Sequence, residues 1–538
     1  MPESTPPPDK PPARSRRKSF SSLPTELRLT ILVILVASAE DSNTKHERAA
    51  LASVCSEWRA VVEKSTFRSL VLREGDAHHD VRAFNRIVQG RRRRLVGTLA
   101  LHVVLGPYGC EGCAREESGA EADLNNRRFA RAVRSLWSSL SRWPVVDGNE
   151  AMTLEIQCGA VSDKEHFFRD AIEDDGGGGG GGVRHLRYDQ ALQGRRFSLW
   201  GARKRLLGNL LDFVPRDDRG AAPPLPEIMV VRRLRVNRSL YRSLSAAALR
   251  VLLESLVNLT VVCYQPWRGV DARGQRARDD AIAALFRDLG PSARAVHLWE
   301  AHSPALHGDT DSWPKPPSSD TGLVAAAVEA SFRLRDLTIL SHAIDGADFF
   351  RLASGSSVRP APHHHHQHHH NHSDHPDHHH HQQQQQQQLI HHHHHHPHPP
   401  DPATSAWSNL RFLVLSCRPL ASSSAQSEAY DLLLTAARAA MRMPRLGCME
   451  LWWGEVKGGY IFRYRVDRDA ATVTVVATSE AAPHPDVLKA WRRVAYENTR
   501  HQLQRRAVVL RADAMVSSTT ICRFLWLFLW LRELLQGG

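Results

Sequence analysis

Between residues 21 and 70 the apolar positions recur at helical spacing, with Leu27, Ile31 and Leu35 at i, i+4 and i+8 on one face. Ser21 or Ser22 can cap that helix, and Pro24 suits its first turn. A polar break at 41–43, a second helical segment over 45–54 and a third around Trp58 complete a set of short helices, which ends in the strand-like run 70–72. After residue 70 the period changes. Apolar residues now recur at x, x+3 and x+5: Val96/Leu99/Leu101, Ala151/Leu154/Ile156, Val183/Leu186/Tyr188, Val231/Leu234/Val236, Leu256/Leu259/Val261, Ala293/Val296/Leu298, Leu334/Leu337/Ile339, Leu410/Leu413/Leu415 and Leu446/Met449/Leu451. The last two positions of each triplet share one face of a strand. Helical stretches at 245–256, 279–289, 323–332 and 428–441 separate the later triplets, and this alternation predicts a parallel sheet. A hairpin is expected from 462–466 and 472–477 around Asp467, Arg468 and Asp469, and then a helix over 485–500.

The triplets resemble the Leu-x-x-Leu-x-Leu rhythm of leucine-rich repeats, which implies a solenoid whose units each add a strand and a returning helix. Spacing agrees in the later part: 37 residues from Leu256 to Ala293, 41 on to Leu334, and 36 from Leu410 to Leu446. The gap from Leu334 to Leu410 is 76, and without the 36 residues of 363–398 it is 40. The histidine-rich tract therefore reads as an insertion within one repeat. Earlier spacings of 55, 32, 48 and 25 are irregular, and the asparagine usual after the last leucine is missing from most repeats. A non-repeat α/β domain stands as the alternative.

The helical segment carries a second resemblance. Leu23-Pro24-Thr25-Glu26-Leu27, the series Ile31, Leu32 and Leu35, then Leu51, Val54-Cys55-Ser56-Glu57-Trp58-Arg59 and a closing Phe67 are similar to the F-box. That motif runs Leu-Pro-x-Glu-Ile/Leu, an apolar helix, then Val-Cys-x-x-Trp-Arg. The link at 38–44 is more polar than usual, and Phe67 stands where Trp is common. The resemblance implies that 21–70 docks on the Skp1-type adaptor of a cullin ubiquitin ligase. Leu23, Pro24, Leu27, Ile31, Leu35, Val54 and Trp58 would then form the adaptor face or the small core beneath it. The whole reads as α+β: a small all-α module, then an α/β leucine-rich-repeat-like region over 71–353 and 405–512.

Composition refines this organisation. Seventy Lys+Arg against 57 Asp+Glu give a net charge of +13, but the excess is local, at 1–22, 86–94, 231–250 and 491–511. This is not the uniform field of a nucleic-acid coat. Twenty of the 32 histidines lie in 363–398, within a His/Gln-rich insertion over 354–404. The proline-rich, basic residues 1–20 are expected to form a disordered arm, Gly176 to Gly182 an expanded loop, and 513–538 an apolar tail. The longest apolar run, 521–531, contains Arg523 and is far shorter than a spanning helix, so no membrane partner is expected. Basic, apolar and small residues at 14–18, 29–37 and 37–39 imitate a signal peptide, but Glu26 and Arg28 abut the apolar run. Eight scattered cysteines suit a reducing compartment, cytoplasmic or nuclear.

Candidate chemistry is sparse. Cys110-Glu111-Gly112-Cys113 has half the ligands of a zinc site, with His102 and Cys158 as unsupported additions. The polyhistidine tract would bind nickel or zinc by composition alone. Phosphate-binding, nucleophile-elbow and metalloprotease motifs are missing, so neither enzyme activity nor a cofactor is expected. Arg233 and Arg235 alternate with apolar positions and should face outward, while Trp299, Trp452 and Trp453 lie at or beside strand ends. These five are the weak candidates for binding an unidentified protein substrate. The reading is a non-catalytic substrate receptor; an adaptor-independent scaffold is the alternative, and an RNA-binding protein using the arginines is less favoured.

Overall fold

The computed structural model describes residues 20, 23–41, 45–144, 152–166, 200–213, 224–307, 321–340, 343–355, 407–421, 426–455, 458–477 and 483–509. Residues 1–19, the glycine run, the triplet at 183–188, the His/Gln tract and the tail lie outside them. The chain divides into two compact units, Met1–Cys263 and Tyr264–Gly538. Each is mixed α/β, with a mostly parallel sheet.

The first unit opens with α1 (Thr25–Asp41), α2 (Lys45–Ser53) and α3 (Ser56–Arg68), which pack on one another. α3 runs straight into β1 (Ser69–Glu74), and α4 (Asp80–Ile87) leads on to β2 (Thr98–Val104). α5 (Gly119–Leu140) starts where the sequence says it should: the Ser118 hydroxyl accepts from Glu121 N–H, and the Glu121 carboxylate accepts from Ser118 N–H. Then follow β3 (Met152–Gly159), α6 (Trp200–Leu207), β4 (Val231–Val236), α7 (Ala246–Ser255) and β5 (Val261–Tyr264), within which the division between units falls. β1 to β4 pair in parallel in chain order. The pairing explains the triplets. Leu70, Leu99, Leu154 and Leu234 form one row across the strands, and Leu72, Leu101, Ile156 and Val236 the next. From Leu99 and Leu72 onward both rows are buried, so the x+3 and x+5 positions recur because each is the neighbour of the last.

The fifth triplet needs a correction. Leu256 ends α7, its N–H bonded to Leu253 O, and Val261 is only half-buried. The buried set is Leu259, Val262 and Tyr264, the same pattern begun three residues later.

The second unit contains α8 (Ala272–Arg287), β6 (Ala295–Trp299), α9 (Pro304–His307), α10 (Thr321–Ser331), β7 (Asp336–Leu340), α11 (Gly346–Ala353), β8 (Phe412–Ser416), α12 (Gln426–Ala440) and β9 (Cys448–Glu455). β10 (Gly458–Val466), β11 (Ala471–Ala477), α13 (Pro485–Thr499) and β12 (Leu503–Val509) complete it. Strands again follow chain order, with β6 to β9 parallel, β9–β10–β11 antiparallel and β12 parallel to β11. Val296, Leu337, Leu413, Met449, Tyr464 and Val473 make one buried row, and Leu298, Ile339, Leu415, Leu451, Phe462 and Val475 its neighbour. Buried tryptophans bond to the helices: Trp407, ahead of β8, donates from Nε1 to Ser331 Oγ at the end of α10, and Trp491 of α13 donates from Nε1 to Leu433 O of α12. The expected hairpin is present between β10 and β11, closed by Asp467 N–H to Ala470 O. β12, and the antiparallel pairing of β9 with the start of β10, had no sequence signal.

Candidate functional site

In α1 the inward stripe is Arg28, Leu32 and Val36, one residue out of step with the predicted stripe. Leu32 and Val36 are buried, and α1 packs on α3. The expected adaptor residues are left outside: Leu23 is 36% exposed, Leu27 52%, Ile31 38%, Leu35 40% and Val54 59%. Leu29, Val33 and Ile34, not singled out from sequence, are exposed as well. Pro24 is exposed at the start of α1, and Trp58 is half-buried, its ring 5.7 Å from that of Phe20. Arg28 lies 3.4 Å from Glu57, which links α1 to the first turn of α3. The supporting core and the outer surface are therefore different residues. A helix that keeps Leu32 and Val36 inside and presents six other large apolar residues to water carries a patch that isolated soluble proteins seldom tolerate.

Chemistry-bearing residues converge where β2, β3 and β4 end. Arg242, buried, lies 3.2 Å from Asp163 and 3.5 Å from Glu117, both also buried. Tyr108 Oη donates to Asp163 and Asn209 Nδ2 to Glu117. Burial opposes the charge on Arg242, but Asp163 and Glu117 outweigh it and hold the guanidinium pKa above its ordinary value. Burial, with Asp163 adding to it, pushes the Tyr108 hydroxyl up. Arg205 grips Glu121 with two nitrogens, 3.0 and 3.2 Å away, and pulls its carboxyl down to about 2. The network sets two arginines among three carboxylates and joins the loops that follow β2, β3 and β4.

Cys110 and Cys113 sit beside this network. Cys113 is buried with its thiol directed at Cys110 O, 3.0 Å away, and Cys110 Sγ is 4.0 Å from His166 Nδ1. Among the described residues no cluster of three or more His, Cys, Asp or Glu side chains could hold a metal. His102 points along the sheet face opposite to the buried rows, while Cys158 is buried. Arg235 lies 3.8 Å from Glu155 on the neighbouring strand; Arg233 is half-buried on the same face.

The remaining candidates lie on the second unit's sheet. Trp452 is buried with Leu340 and Val414, and Trp299 and Ile461 pack against them. Beside them Glu450 is buried against Arg463, Nε to Oε2 2.5 Å, and burial raises its pKa in spite of that partner. Trp453, two positions along from Leu451, is half-buried. Residues 288–528 match a family of unknown function, DUF6546. No curated protein and no solved structure matches the chain. The segment similar to DUF6546 spans β6 to β12, so it includes all three tryptophans and leaves α1–α3 outside. Among the described residues no helix is long and apolar enough to cross a membrane.

Proposed function

We propose that the chain is a non-catalytic substrate receptor of a Skp1–cullin–F-box type ubiquitin ligase, with α1–α3 docking the adaptor and the α/β region presenting a protein substrate. The observation that carries this reading is the exposed apolar surface of α1 together with Val54, at the residues the F-box resemblance assigns to the adaptor. The irregular leucine-rich-like reading of the later region is supported by the in-register rows of triplet residues. The physical task is positioning: a scaffold that holds a substrate near a ubiquitin-loaded enzyme raises its effective concentration and needs no acid or base of its own. The RNA-binding alternative draws less support, because Arg235 is occupied by Glu155.

The test is co-purification of the full chain with a Skp1-type adaptor, beside the Leu23→Ala, Pro24→Ala variant. The adaptor should follow the parent chain and be depleted from the variant. A well-folded chain that leaves the adaptor in solution at micromolar concentration sinks the proposal.

A further inference from the structure

β12 is the last strand in the order of the second unit, paired with β11 from Ala471 and Leu503 to Ala477 and Val509 without a register shift. No described strand takes its other side. Gln504, Arg505, Arg506, Ala507 and Val508 are all exposed. Successive side chains of a strand point to opposite faces, so both faces of this edge are open, whereas β11 beside it alternates buried and half-buried. Proteins usually blunt such an edge with a proline, a bulge or a covering segment. β12 has no proline and no bulge, and its side chains stay open to water. Its only charged residues are Arg505 and Arg506, one on each face, and neither has an ion-pair partner among the described residues. Helix α13, which packs on β12, adds exposed Lys489, Arg492, Arg493 and Arg500 against Asp486 and Glu497.

We propose that β12 is a docking edge for an extended acidic peptide of another protein, which adds to the sheet as a further strand. Main-chain hydrogen bonds along the free edge supply affinity that tolerates sequence change, and the arginines on both faces select carboxylate side chains. This assignment is independent of adaptor docking by α1, since the two surfaces share no residue.

The experiment uses the full chain and a dye-labelled, end-blocked peptide of about ten residues, long enough to cover one strand, alternating Glu and Val, with a Gln/Val peptide as control. Binding is read by fluorescence anisotropy. The Glu peptide should bind at least about tenfold more tightly than the Gln peptide, and lose that advantage in about 0.5 M salt. Arg505→Glu with Arg506→Glu should remove it as well. Arg506→Pro and Ala507→Pro are then compared, because adjacent N–H groups of a strand point to opposite sides and proline is tolerated only where the N–H faces outward. Whichever variant keeps the parent thermal unfolding has lost the outward donor, and it should bind the Glu peptide at least about tenfold more weakly. Equal binding of the two peptides, or indifference to both the charge reversal and the outward proline, overturns the proposal. So does an oligothymidine that displaces the peptide and binds the proline variant unchanged, which would make the edge a nucleic-acid surface. A peptide-independent dimer abolished by the same proline would make it a contact between two copies and overturn it too.

Discussion

Truncating α1 on its outer side should separate docking from folding. Leu27 is 52% exposed and Ile31 38%. Moving a fully exposed Leu or Ile side chain out of water contributes about 1.5–3 kcal/mol, so covering what these two still expose contributes about 1 kcal/mol each. The Leu27→Ala, Ile31→Ala variant should therefore bind the adaptor about 2 kcal/mol more weakly, roughly a 30-fold rise in Kd. Its own stability should fall much less than that of a core variant, because both side chains are already half in water. Leu32→Ala is the control: only 1% exposed, it should lose about 2–5 kcal/mol of folding free energy to the cavity it leaves. Titration calorimetry against a purified adaptor gives the first quantity and urea unfolding the second. A double variant that unfolds like the parent and binds with the parent Kd refutes the assignment of this face. Refutation also follows if both variants lose binding only in proportion to their unfolded fraction.

Other consequences are local. Arg242→Met leaves Asp163 and Glu117 buried without their cation; the loss should be about 3–5 kcal/mol in urea unfolding at pH 7, and a variant as stable as the parent would refute the role given to this pair of contacts. Glu121 is held at about 2 against an ordinary 4.5, so its contribution is complete above about pH 4.5 and is lost as pH falls toward 2. Glu121→Gln should remove that part of the acid slope, about 1 kcal/mol after solvent screening of a half-exposed group, and an unchanged slope would refute it. A methyl group at Gly346 would collide with Cys417 Sγ and press on Ser416 O; Gly346→Ala should cost about 1–3 kcal/mol, and Cys417→Ala in the same chain should restore part of it in thermal unfolding.

How far the sequence reaches depends on what each residue touches. The triplets were legible because burial wrote them: Leu154 and Ile156 stand beside Leu99 and Leu101 on one side and Leu234 and Val236 on the other, and every one must be apolar. β12 was not legible because no described residue buries Gln504 to Val508, and a strand without a buried face has no period of two. In α1 the helix was legible but its facing was not. The stripes 27/31/35 and 28/32/36 differ by one residue, a turn of about 100°, and apolar neighbours on both sides blur the choice. Packing of α1 against α2 and α3, with Leu32 and Val36 buried, decides which set is left outside. The charged network was hidden for the opposite reason. Asp163 and Arg242 are 79 positions apart, and no spacing rule relates residues that meet solely because parallel strands deliver their following loops to one edge of the sheet. At α1 the residues proposed for the adaptor, apart from the half-buried Trp58, are exposed, so resemblance and exposure bear on one surface. At the edge strand, solvent exposure and charge carry the inference alone, which is why its test must discriminate a peptide from a nucleic acid and from a second copy of the chain.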